Sequence, residues 1–183
     1  MDKVVLSEIS LVYGEVKTPE GFEIDRKEIK NSIVSSYLKK NRASNNKKDF
    51  SYNDYTIDFS QKIQWLLDYI RDHFYEKCKQ NLVNKIIFGN VYAPSEVSLC
   101  RNNVDPVDLR HSPDYTLIYI VDCGEKSSEL VIEYEDNRRK GRTWHVPIKN
   151  NHFYLFPSTQ KYFFTANKSK QLNTILTITY EYI

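Results

Sequence analysis

Tyr115-Thr116-Leu117-Ile118-Tyr119-Ile120-Val121-Asp122 is a run dense in β-branched and aromatic side chains, and five further runs of the same texture follow it. They cover residues 129–135, 142–148, 152–156, 161–165 and 172–183. Such side chains suit a pleated, largely buried surface. Short runs at regular spacing therefore indicate the strands of a sandwich or jelly roll rather than helices. In the last run Leu176, Ile178, Tyr180 and Tyr182 alternate with Thr177, Thr179 and Glu181, the period of two expected of a strand with two different faces. Asp136-Asn137 and Lys140-Gly141 supply turn residues between neighbouring strands.

Working upstream, Ile86-Ile87-Phe88 and Val91-Tyr92 read as one more strand. Residues 93–114 are irregular, because Pro94, Pro106 and Pro113 exclude a helix there. Before residue 84 the period changes to that of helices. Asp25 as N-cap with Glu28 three residues on is a capping-box pattern, and Ile24 and Ile29 can form the accompanying hydrophobic staple. Ile29, Ile33 and Tyr37 continue one face, so this helix is expected to run to about Lys39, with a polar, basic loop from Lys39 to Asp49. A second helix is expected from Asp58, with Gln61 in the reciprocal cap position, to near Leu82. Its stripe of Phe59, Ile63, Leu66, Leu67, Ile70 and Phe74 is broad enough to require a large partner such as a sheet. Val4, Val5, Leu6, Ile9, Leu11, Val12 and Tyr13 indicate one or two extended segments at the start. The pattern predicts a single α+β domain over residues 1–183: an N-terminal strand and two helices in 1–84, and a jelly-roll core in 85–183 with the helices backing one sheet.

Composition removes several function classes. The chain has 183 residues, with 26 Lys and Arg against 24 Asp and Glu. A balance so near neutrality argues against a general nucleic-acid binder. No apolar run approaches the roughly 18 residues of a membrane span. The first eight residues carry no long apolar stretch, so no secretory signal is expected. Gly14, Gly21, Gly89, Gly124 and Gly141 lie far apart, so no phosphate-cradling loop or nucleophile elbow can be written. Cys78, Cys100 and Cys123 form no C-x-x-C pair and are expected to be buried free thiols in a reducing compartment. The unusual figure is the aromatic content, with 14 Tyr, 9 Phe and 2 Trp: enough to fill a core and also to line a cavity or an interface.

Phe156-Pro157-Ser158, ending one strand and preceding another, resembles a signature of the 2-oxoglutarate/Fe(II)-dependent oxygenase superfamily. The Tyr92-x-Pro94 turn, the irregular stretch after it and the long final strand follow the same order, so the resemblance covers roughly residues 85–183. It implies a double-stranded β-helix with N-terminal helices on the major sheet, and a site of three iron ligands, an H-x-D/E pair and a distal His. None of His73, His111, His145 or His152 begins an H-x-D or H-x-E. The region expected to carry the pair offers Arg101-Asn102-Asn103 or Leu109-Arg110-His111-Ser112, depending on where the gap is placed. The distal His position matches Tyr162, and the basic residue expected to hold 2-oxoglutarate matches Asn173.

The resemblance so read implies a catalytically degenerate protein without cofactors, with His111, Tyr162 and Asn173 in a former active site. Its expected role is binding or assembly, as in a viral structural or accessory protein. Two other readings stand beside it. One is an active Fe(II)/2-oxoglutarate dioxygenase acting on a peptide or small molecule, with His111 as a ligand. The other is a cupin-like module that binds its ligand in an aromatic-lined cavity. His111 with Asp108 or Asp114 is a weaker metal candidate, and His145 and His152 flank a short turn across which they could face one another. Arg138, Arg139, Lys140 and Arg142 form a basic hairpin suited to an acidic protein surface, and the one place where phosphate of a nucleic acid could dock. Tyr180 and Tyr182 are interface candidates near the C-terminus. The expected partner is a protein or a second copy of the chain, and the expected location is the cytoplasm, or a virion for a viral protein.

Overall fold

The structure, a computed structural model, describes residues 9–18, 20, 24–43, 54–57, 60–137 and 140–183. In chain order they form β1 (Val12–Glu15), α1 (Arg26–Ala43), β2 (Asp54–Thr56), α2 (Gln61–Cys78) and β3 (Leu82–Tyr92). A single 3-10 turn (Leu109–His111) is followed by β4 (Tyr115–Asp122), β5 (Glu129–Asn137), β6 (Lys140–Pro147), β7 (His152–Pro157), β8 (Lys161–Phe164) and β9 (Asn173–Tyr182).

Helix α1 begins where the capping pattern places it. The Glu28 N–H donates to Asp25 Oδ1 at 2.9 Å, giving one of the unpaired amides of the first turn its acceptor. Asp25→Ala is expected to cost about 1 kcal/mol, measured as a shift of the urea midpoint at unchanged slope. The helix runs on to Ala43 instead of ending at Lys39, because Lys39 and Lys40 are good helix formers whose charges suit the C-terminal end of the dipole. In α2 the expected cap Asp58, with Phe59, lies outside the described residues, and Ser60 takes the N-cap place in extended conformation. The helix stops at Cys78, before the expected Leu82. Lys79 turns left-handed with φ 58°, and its N–H donates to Tyr75 O. That reversal frees Leu82 to open β3, four residues earlier than the apolar pattern suggests, with an irregularity between Asn84 and Ile86.

The strands make two antiparallel sheets, ordered β1-β7-β4-β9-β3-β2 and β6-β5-β8. One core joins Ile29 and Ile33 of α1 and Ile63, Leu66, Ile70 and Phe74 of α2 to Leu117, Tyr119, Leu176 and Tyr180 of the large sheet. The other fills the space between the sheets with Ile118, Ile120, Tyr154, Phe156 and Ile175 from the large one and Leu130, Ile132, Tyr162 and Phe164 from the small one. Successive residues of β4 thus feed opposite cores, which is why this strand is apolar from Leu117 to Val121 instead of alternating with polar residues. The same double burial corrects the reading of Tyr180 as an interface residue: it is 1% exposed, whereas Tyr182 is 53% exposed. Thr177 and Thr179, on the other face of β9, are buried as well.

The three cysteines are free, but only Cys123 is buried; Cys78 is partly buried and Cys100 is exposed, against the expectation of three buried thiols. Among the described residues no helix is long and apolar enough to cross a membrane.

Candidate functional site

After β3 the chain turns at Ala93–Glu96, where the Ala93 N–H donates to Glu96 Oε2 at 2.7 Å and Ser95 adopts φ 68°. It then runs extended beside β8. The Ser98 N–H donates to Phe164 O at 3.2 Å and the Phe164 N–H to Ser98 Oγ at 2.6 Å. Arg101 and Tyr162 exchange backbone hydrogen bonds of 3.0 and 2.7 Å as an antiparallel bridge. The prolines that exclude a helix here leave backbone groups free for this pairing.

The bridge carries the Arg101 side chain into a polar network at the rim of the inter-sheet core. Arg101 Nη1 donates to Asp54 Oδ1 at 2.7 Å and Nη2 to Asn103 Oδ1 at 3.0 Å. Asn103 Nδ2 donates to Thr116 Oγ1 at 2.9 Å and to the Tyr162 hydroxyl at 3.3 Å, and Thr116 Oγ1 lies 2.8 Å from Ser158 Oγ. On the far side Asn90 Nδ2 donates to Asp54 Oδ1, and Thr177 Oγ1 donates to Asn90 Oδ1, each at 2.8 Å. The guanidinium carbon sits 5.0 Å from the Phe88 ring centroid and 6.0 Å from that of Tyr162. The Arg101 side chain is 11% exposed and that of Asp54 35%. Burial by itself would lower the guanidinium pKa, but Tyr162 and the Asp54 carboxylate outweigh it, and the pKa ends above its ordinary value. Burial raises the pKa of the Tyr162 phenol, which stays protonated at neutral pH.

Of the two stretches that could match the ligand pair, only Arg101-Asn102-Asn103 meets Tyr162. His111 lies elsewhere, which corrects its assignment to the pocket. Its side chain is 71% exposed on the 3-10 turn, with Nδ1 2.8 Å from Asp108 Oδ2, and this contact draws the Asp108 pKa down. Asp108 accepts from the His111 N–H at the start of that turn, while Asp114 accepts from the Tyr182 N–H. The first contact caps the 3-10 turn, and the second ties the end of β9 to the residue before β4. Among the described residues no three His, Cys, Asp or Glu side chains converge.

Asn173 is buried deeper in the interior, opposite Tyr92 in the register. Its Nδ2 donates to Ser128 Oγ at 2.9 Å, and its Oδ1 has no partner among the described residues. His145 and His152 lie on strands of different sheets and, among the described residues, make no contact with each other. His145 contacts Glu129 and Thr143, and His152 the carbonyl of Asn150. In the basic hairpin, Arg138, Arg139 and the side chain of Lys140 lie outside the described residues, and Arg142 is exposed on β6.

The sequence reading missed Asp54, Asn90 and Thr177. Alternation in β3 and β9 puts Asn90 and Thr177 on the inward face and could have found them. Asp54 sits on a three-residue edge strand with no periodicity of its own.

A second feature lies on the other flank, between edge strands β1 and β6. A cavity of about 340 Å³ is lined by Tyr13, Ile132, Tyr134, Trp144, Phe156 and Gln160 among others. The Tyr13 ring stands 5.3 Å from Trp144 and stacks at 6.4 Å on Tyr154, while Phe156 meets Tyr162 edge-on at 5.4 Å. Phe156 thus separates the cavity from the Arg101 network.

No family model and no curated protein matches this sequence. Solved structures do match its fold. A Pseudomonas putida prolyl-4-hydroxylase aligns over 93% of this chain and 91% of its own, with TM-score 0.61 and 12% identity. A viral collagen prolyl hydroxylase from Paramecium bursaria Chlorella virus-1, in a 2-oxoglutarate complex, aligns over 93% and 94% with TM-score 0.64 and 12% identity. A non-heme α-ketoglutarate-dependent carbocyclase from nogalamycin biosynthesis aligns over 94% and 79% with TM-score 0.65 and 10% identity.

These neighbours overturn the expectation of a protein without cofactors, because they point to Fe(II) and 2-oxoglutarate as the groups this fold accommodates. The residues at the matching positions do not fit those groups. A guanidinium has no lone pair to offer a metal, the Asn103 oxygen accepts from Arg101, and the Tyr162 phenol is protonated. A carboxylate anchored at Asn173 would meet a neutral amide in place of a cation, with one hydrogen of Nδ2 already donated to Ser128. At this level of identity the likeness is one of architecture: the chain has the double-stranded β-helix fold of the 2-oxoglutarate/Fe(II) oxygenases.

Proposed function

We propose that this chain is a binding protein built on the oxygenase fold, which holds a protein partner or small ligand at the aromatic cavity between β1 and β6. The observation that carries the reading is the Arg101 guanidinium, fixed by Asp54 and Asn103 at the meeting point of the matched ligand positions. The cavity suits the role chemically. Tyr13, Tyr134 and Trp144 offer rigid amphipathic surface, Gln160 offers an amide, and about 340 Å³ is the size of a small ligand or a large side chain.

A second reading is an oxygenase acting on a peptide or small molecule. It is favoured by the solved neighbours, two of which are prolyl hydroxylases matching over more than nine-tenths of both chains.

Anaerobic addition of Fe(II) and 2-oxoglutarate to the full chain separates the two readings. The binding reading expects no metal-to-ligand absorption band at equimolar metal and cosubstrate. A band, followed by succinate release in air with a peptide substrate, would establish the oxygenase. Migration with a large assembly would point to a protein partner, and a monomer that binds a small molecule to the cavity itself.

A further inference from the structure

We infer that the Arg101 guanidinium, with Asp54 as its counter-ion, is a fixed internal cation that ties together the elements on which the matched ligand positions lie. This rests on the binding reading and adds to it the residues that do the tying. Asn103 belongs to the extended segment after β3, Tyr162 to β8 of the small sheet, and Thr116 to β4 of the large one; all three join the network of Arg101. Asp54 stands opposite Asn90 in the β2–β3 register, so the carboxylate comes from the outermost strand of the large sheet. Segment 98–103 therefore spans from the edge of one sheet to the edge of the other, with the guanidinium at the crossing.

The choice of side chain follows from geometry and charge. One nitrogen addresses Asp54 and the other Asn103, a division that needs the planar fork of arginine and that a lysine point charge cannot reproduce. A cation 11% exposed requires a nearby anion, and Asp54 supplies it while Phe88 and Tyr162 cover the guanidinium. Asp54 is in turn held by Asn90, itself held by Thr177, so the carboxylate is oriented by groups other than the arginine. None of Asp54, Asn90 and Thr177 belongs to the resembled motif, and all three serve this one charge.

A double-mutant cycle on the full chain tests the tie, with Arg101→Met, Asp54→Asn and the double variant compared by urea unfolding. Each single change should raise the unfolding equilibrium constant by about tenfold or more. The double should be less damaging than the sum by at least about tenfold, since the second change removes a group already left unpaired. Additive effects would overturn the inference. Arg101→Lys should recover less than half of the loss on a logarithmic scale; full recovery would show that the fork is irrelevant.

A second arm combines Arg101→His, Asn103→Asp and Tyr162→His and uses Co(II) alone as probe, read by its visible absorption. The variant should bind Co(II) at least about tenfold more tightly than the parent chain. Equal affinity in the two would show that the guanidinium does not stand in the metal's place. Should the triple variant fail to fold, the cycle decides. A 2-oxoglutarate band in the parent chain would sink the binding reading and still leave the tie to be judged by the cycle.

Discussion

Phe156→Ala is expected to lower stability by about 3–5 kcal/mol, the range for removing a buried aromatic ring. Phe156 is 1% exposed on β7, faces the small sheet, and meets Tyr162 edge-on. Its ring is at once part of the inter-sheet core and one wall of the cavity. Truncation loses the transfer free energy of the ring and its contact with Tyr162, and it opens the cavity toward the Arg101 network. Urea denaturation at constant slope measures the cost. Phe156→Leu should recover most of it, because a Leu refills much of the volume. A loss below about 1.5 kcal/mol for the Ala variant would mean that this wall is already loose.

Gly89 is the second sensitive position. A Cβ built on it would lie 2.6 Å from both Cγ1 and Cγ2 of Ile33, much closer than side-chain carbons ever approach. Gly89 stands in β3 beneath α1, between Tyr55 of β2 and Leu176 of β9 in the ladder. Two neighbouring strands pin it, so relief must come from the helix. Gly89→Ala is expected to cost about 1–3 kcal/mol and Gly89→Val more, through the strain of an overpacked core. Thermal or urea unfolding reads the effect. Combining Gly89→Ala with Ile33→Ala should cost clearly less than the sum of the two single changes, because the second substitution removes both clashing atoms. Strict additivity would show that the helix does not rest on this glycine.

The strands were largely legible because their signal is local. The β4 run has the bounds read from sequence, and β5 to β9 depart by at most two residues, since their period of two is local; Lys140-Gly141, read as a turn, instead opens β6. The start of α1 was legible for the same reason, as a cap needs only Asp25 and the amide three residues on. Exposure was less so. Alternation shows that Tyr180 and Thr177 face opposite ways, but not that helices cover one side and a second sheet the other. Edge strand β2 escaped notice because three residues carry no period.

The sequence by itself determined that this chain is strand-rich, that its first helix begins at Asp25, and that no H-x-D or H-x-E lies anywhere in it. These are properties of neighbouring residues, and neighbours in the chain decide them. Only the tertiary structure decided which residues stand together at the matched site. Arg101 rather than His111 meets Tyr162 because an antiparallel bridge joins two distant segments, and the register of such a bridge depends on how the whole roll closes. The counter-ion Asp54 reaches the same place from a third segment, brought there by its pairing with β3. A buried charge selects its partner by distance in space, which is why the ion pair at the rim of the inter-sheet core left no mark in the linear pattern.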